Sequence, residues 1–175
     1  VFQLNNSMVQ PLKIMFNRES DFRHRFTGKE SFHDVGYLQS LMVSSDTKHG
    51  HAFEMPENEA ICIFSLEINR KLFEEKIELF LEDMDEDLEE LFRDVNGINL
   101  FHRKGQYGLD ISKLLEEFSE CDLDGFMRAV FLEGKAYEIF TQQLKLYLDD
   151  LNEPENRKIL RKITIEKVKE AADTI

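Results

Sequence analysis

Residue types with metal chemistry stand closest together at His49-Gly50-His51-Ala52-Phe53-Glu54. Two histidines two apart share one face of a strand, and a carboxylate follows. Imidazole and carboxylate donors suit a first-row divalent metal. Exposed loop histidines between the polar run Ser44–Lys48 and Pro56 explain the pair more simply than a metal site does. Carboxylates crowd residues 83–90, but acid–base catalysis needs a cleft that perturbs a pKa, and a solvated acidic helix supplies none. The sequence holds no G-x-S-x-G, G-x-G-x-x-G or G-x-x-x-x-G-K-[ST], so neither a nucleophile elbow nor a phosphate cradle is indicated. No catalytic residue is assigned, and no metal or cofactor is expected.

The His-x-His-Glu order resembles the metal motif of cupin barrels. It departs from that motif in placing Glu54 only three residues after His51, and the later third histidine is missing. Aromatic side chains suggest a different chemistry. Phe16, Phe22, Phe26, Tyr37 and Phe64 fall on strand-like segments, where such residues build a core or line a ligand cavity. His24, flanked by Arg23 and Arg25, offers a polar handle for an anionic or aromatic ligand. The expected ligand-binding set is therefore Phe16, Phe22, His24, Tyr37 and Phe64.

Two kinds of element must position these residues. Over residues 1–68, short apolar runs with alternation predict strands: Phe2–Leu4, Leu12–Phe16 after Pro11, Asp21–Phe26, Tyr37–Val43 and Ala60–Leu66. Phe22, His24 and Phe26 share one face, and Thr27-Gly28-Lys29 reads as a turn. Short strands at this spacing suggest a sandwich or barrel. The period then changes. Asn69 suits an N-cap before Leu72, Phe73, Ile77, Phe80 and Leu81. Residues 82–95 form a second, acidic helix, expected to end at Asn96-Gly97. Residues 98–107 read as a short strand or extended loop with Phe101 inward. Asp110 is expected to cap a helix carrying Ile111, Leu114, Leu115 and Phe118.

A long helix over residues 122–151 follows. Phe126, Val130, Tyr137, Phe140, Leu144 and Tyr147 recur at helical spacing, and so wide an apolar stripe predicts dimerisation. Glu153-Pro154 breaks that helix, and Thr164 suits the cap of another. Residues 152–175 are expected to form a linker and the start of a helix leading onward. The absence of an initial Met and the helical pattern at Ile175 suggest a fragment of a longer protein.

The 175 residues carry 22 basic against 35 acidic side chains, a net charge of −13, with 42% apolar content that is ample for a core. Most of the excess sits in residues 66–125, where seven basic residues face eighteen acidic ones. Such a body argues against direct nucleic-acid binding, which rests on Lys and Arg at phosphates. Cys62 and Cys121 have neither disulfide-framework nor metal-ligand spacing. No signal-peptide pattern or membrane-length apolar run occurs, so a cytoplasmic protein with no membrane partner is expected.

Residues 126–140, Phe-Met-Arg-Ala-Val-Phe-Leu-Glu-Gly-Lys-Ala-Tyr-Glu-Ile-Phe, resemble the helix of AraC/XylS-family transcriptional regulators. More narrowly they are similar to the siderophore-responsive branch typified by PchR. Residues 160–175, with Thr164-Ile165-Glu166-Lys167-Val168 and Ala171-Ala172, resemble the linker helix that precedes the DNA-binding half of that family. Ile61–Ile77 matches where a buried strand enters the first helix. The resemblance implies an α+β regulatory domain. An N-terminal antiparallel β-sandwich or cupin-like barrel half (residues 1–68) would pack on a C-terminal helical half (69–151) with a long dimerisation helix. It implies a homodimer, a small-molecule effector, and DNA contact only through a helix-turn-helix domain absent from this fragment. Two rival readings are a cupin-like metal enzyme using His49, His51 and Glu54, and an acidic protein-interaction module.

Overall fold

A computed structural model describes residues 2–4 and 11–152. The expected break at Pro154, the last helix capped by Thr164 and the linker at 152–175 therefore lie outside the described residues, apart from Asn152 itself. By compactness the chain divides into two units, residues 1–104 and 105–175. The change from strand to helix period, by contrast, falls at 68/69 as the alternation indicates, and one late strand follows the first helices.

The first unit is built on two four-stranded antiparallel sheets. One runs in the order β1 (Phe2–Leu4), β6 (His51–Glu54), β3 (Phe22–Phe26), β4 (His33–Val35). The other runs β7 (Ile63–Ile68), β2 (Leu12–Asn17), β5 (Gln39–Ser44), β8 (Phe101–Gln106), the last strand ending just past the unit boundary. Met15, Leu41 and Val43 of the second sheet form one buried cluster with Phe22, Phe26, Val35 and Phe53 of the first. Each of these large side chains contributes about 1.5–3 kcal/mol on leaving water. Strand β2 is buried on both faces, whereas β3 alternates as its Phe-Arg-His-Arg-Phe sequence requires, with Phe22, His24 and Phe26 inward. The turn after β3 forms as expected, with Gly28 at φ 78° and Lys29 N–H donating to the Phe26 carbonyl.

The Asn69 side chain caps α1 (Arg70–Ile77) by accepting from Leu72 N–H. A 3-10 stretch Glu78–Asp83 replaces the expected continuation of that helix. Helix α2 (Glu86–Arg93) stops three residues before the Asn96-Gly97 expected to end it. Asp94 takes over there, its carboxylate accepting from Ile98 and Asn99 N–H at 2.7 and 2.9 Å. Gly97, at φ 64°, serves the following turn instead.

In the second unit, α3 (Leu109–Ser119) has Gly108 as its N-cap, so Asp110 lies in the first turn and does not cap. Helix α4 spans Gly125–Asn152, 28 residues. Helices α3 and α4 pack together, and Lys135 of α4 bridges Glu117 of α3 and Glu138 of its own helix. No described helix is long and apolar enough to cross a membrane.

Candidate functional site

The inner face of the first sheet brings histidines together. Strand pairing sets His24 directly opposite His33 on β4 and Phe53 on β6, and sets Phe26 opposite His51. On antiparallel strands, opposed side chains stand about 4.5–5.5 Å apart at Cβ, and diagonal ones remain within reach of a ring. The diagonal pair meets: His24 Nε2 lies 3.0 Å from His51 Nδ1. From β8, His102 stacks on His24 with ring centroids 5.6 Å apart, and His33 lies 4.1 Å from His102. Phe26 and Phe53 wall the group, their ring centroids 5.2 and 5.1 Å from that of His24.

Water is kept from most of this cluster. His24 and His51 are both 0% exposed, His102 is half-buried, and His33 is exposed. Burial disfavours the charged imidazolium. It pushes His24 down to about 3, helped by the charges that His51, His102 and His33 would carry. Burial also lowers His51 to about 4, assisted by Lys13 and opposed by Glu67. His102 falls to about 4 through burial and its neighbour His33. At neutral pH all three rings are uncharged. Positive charge nearby comes from Lys13 on β2, 3% exposed, whose ammonium donates to the Glu67 carboxylate on β7, and from Lys104 on β8, which also lowers the His102 pKa.

Three ring nitrogens in this cluster, His24 Nδ1, His51 Nε2 and His102 Nε2, are buried and without a hydrogen-bond partner. Buried polar atoms are normally paired, and leaving one unpaired costs about 1–3 kcal/mol. A group of neutral imidazoles with free nitrogens can hydrogen-bond a small polar ligand or donate lone pairs to a metal ion.

The residues expected from sequence are distributed as follows. Phe22 and His24 lie on this inner face. Phe16 and Phe64 oppose each other on β2 and β7, ring centroids 6.3 Å apart, on the sheet side opposite Met15. Tyr37 stands in the turn between β4 and β5. The trio His49, His51 and Glu54 does not converge. His49 precedes β6 and its Nδ1 pairs with Asp46 Oδ1 at 2.7 Å. Glu54, three residues along the strand from His51, points to the other face and pairs with Arg23. The expected shared face of His49 and His51 fails because the strand begins only at His51. The expected pair of exposed loop histidines fails as well: His49 stands before the strand, but His51 is on β6 and 0% exposed. His33, His102 and Lys13 were not legible as site residues, although a lysine inside Leu12-Lys13-Ile14-Met15-Phe16 is a signal for an inward charge. The six apolar positions on α4 divide between its two sides. Phe126, Val130 and Tyr137 are 80%, 53% and 42% exposed, Leu144 is half-buried, and Phe140 and Tyr147 are buried.

Comparison with known proteins adds one match. No curated protein and no solved structure is detectably similar to the chain. The family model described as the regulatory protein PchR N-terminal domain matches residues 2–160, nearly the whole sequence. The chain therefore belongs to the family of N-terminal domains of the regulatory protein PchR.

Proposed function

We propose that this chain is the effector-sensing and dimerising domain of an AraC-type transcriptional regulator in a bacterial cytoplasm. The observation that carries the reading is the family match over residues 2–160. DNA is then bound by helix-turn-helix units elsewhere in the full protein, which accords with an acidic body unsuited to phosphate contact. The double-sheet unit is the cupin-like sensing half. Its ligand site is the inner histidine cluster, where buried nitrogens lack partners. The pairing surface is the exposed side of α4, on which Phe126, Val130 and Tyr137 follow helical spacing with Met127 beside them. In this reading the chain binds and does no catalysis. An effector biases DNA binding only as far as its affinity differs between the two dimer arrangements.

The test replaces the natural gene with one encoding the full-length protein carrying Val130→Asp, and with a deletion. Transcript profiles of the two strains should agree with each other and differ from the parent. A profile of the Val130→Asp strain indistinguishable from the parent, with the variant shown to be monomeric, would remove the dimerising-regulator reading.

A further inference from the structure

We propose that Lys13 and His51 form a binding site for the carboxylate of a small organic acid, and that Glu67 fills it as a displaceable stand-in when no ligand is bound. This deepens, and rests on, the reading of the histidine cluster as the effector site.

Strand register places the three groups. Lys13 lies two residues before Met15 on β2, so both side chains leave the same face of the sheet, and Met15 packs with Phe26 and Phe53. His51 comes from the facing sheet, opposite Phe26 and two residues before Phe53. Lys13 and His51 therefore face each other across the core, near enough for the Lys13 and Glu67 charges to act on the ring. Glu67 stands directly opposite Lys13 on β7, the end strand of its sheet, and its carboxylate accepts from the Lys13 ammonium.

This ion pair is lopsided. The Lys13 side chain is 4% exposed, and that of Glu67 is 56% exposed. An ammonium held away from water needs an anion beside it, whereas a carboxylate at the rim returns to water at small cost. The presence of Glu67 shows that a carboxylate fits against Lys13, and its exposure shows that the approach is open to solvent. His51 supplies a second contact that Glu67 leaves unmade, because its Nε2 is buried and without a partner. A neutral imidazole carries one N–H and one lone pair. When His24 Nε2–H donates to His51 Nδ1, the His51 proton stands on Nε2 and needs an acceptor. Glu67 is tied to β7 and satisfies the ammonium alone. A free carboxylate is not tied and accepts from both, in charge-assisted hydrogen bonds. The rest of the cluster also favours an anion over a cation. Lys104, whose charge acts on His102, donates to the Asp34 carbonyl at 2.9 Å, and no carboxylate acts on His24 or His102.

The test titrates acetate into the full chain at constant ionic strength, read by calorimetry and by the ¹⁵N shifts of the His51 ring. One acetate per chain is expected, with the bound-state proton on His51 Nε2, and acetamide, its uncharged isostere, should not bind. Glu67→Gln should tighten acetate roughly fivefold or more, because a self-occupied site lowers the apparent affinity to the fraction left free. Acetate should also raise the thermal midpoint of Glu67→Gln more than that of the parent, since it restores an anion to Lys13. Lys13→Met should abolish binding in either background, and His51→Phe should weaken it about tenfold. Glu57→Gln, at an exposed carboxylate before β7, should change nothing. Absence of saturable binding to Glu67→Gln, acetamide binding as tightly as acetate, or binding unmoved by Lys13→Met would each overturn the proposal. So would a Glu67→Gln variant that binds no tighter than the parent. The transcript profile separates this from the broader reading. A chain that regulates without taking acetate loses only this site, and one that takes acetate yet regulates nothing loses the regulator.

Discussion

No carboxylate acts on His24, and the one that acts on His51, Glu67, is engaged by Lys13, so burial outweighs it and charging either ring inside the sheets stays costly. Their ordinary value is 6.5, against about 3 and about 4 in the fold; His102 is also held near 4. Below pH 6.5 the unfolded chain takes up protons that the folded chain refuses. Folding is then penalised, and stability rises with pH across the window from about 4 to 6.5, by about 1.4 kcal/mol per pH unit for each proton. Two or three such protons amount to several kcal/mol, a large share of the roughly 5–15 a domain holds. The protein should keep a constant thermal midpoint above about pH 7 and lose it steadily on acidification toward pH 4. His51→Phe should flatten that slope, measured by circular dichroism melts. A midpoint that holds level down to pH 4 would contradict the neutral cluster. His24 was legible because strand alternation places it between two inward phenylalanines. His33 was not, because only the register of the β3–β4 hairpin sets it opposite His24, and His102 was not, because β8 joins its sheet beside β5, far earlier in the sequence.

Buried ion pairing decides how the first helices hold together. Arg70, 1% exposed, reaches Asp94 and the Leu91 carbonyl, both at 3.4 Å. Burial lowers the Arg70 pKa and Asp94 opposes that shift. Removing one partner leaves a buried charge, so Asp94→Ala should cost about 3–5 kcal/mol. It also strips Ile98 and Asn99 N–H of their acceptor. The paired replacement Arg70→Met with Asp94→Leu should recover most of the loss in chemical denaturation. Equal loss in the single and double variants would mean that the loop contacts, and not the stranded charge, matter. On α4 the outcome should differ in kind. Val130→Asp, at an exposed position, should shift sedimentation from dimer to monomer while leaving the thermal midpoint within about 0.5 kcal/mol equivalent. Helix existence was readable from period, and the Asn69 cap from residue type. The ends of α2 and α3 were misread because Asn-Gly and Asp look like helix ends and caps wherever they fall, while Asp94 and Gly108 take those places here.

At the scale of the whole molecule, β1, β2, β3, β5 and β7 read from alternation or apolar runs, whereas three-residue β4 gave no such signal, β6 read as a solvated loop, and the order in two sheets did not read at all. Strand β1 pairs with β6, about fifty residues away, and β8 joins its sheet only after two helices have intervened. Such pairings follow from burying a shared core, which local sequence does not encode. Under the proposed reading sensing and pairing must be thermodynamically linked. Linkage is reciprocal, so a factor by which an effector tightens dimerisation must equal the factor by which dimerisation tightens effector binding, typically about 1–3 kcal/mol or roughly 5–150-fold. Pairing can be tested without any ligand. The dimer constant of the full chain, measured by sedimentation, should fall about tenfold or more with Val130→Asp, which puts a charge on the exposed side of α4. It should be unmoved by His51→Phe, since His51 is buried between the strands of the first unit. A dimer constant lowered equally by both variants would mean that pairing does not rest on the exposed side of α4.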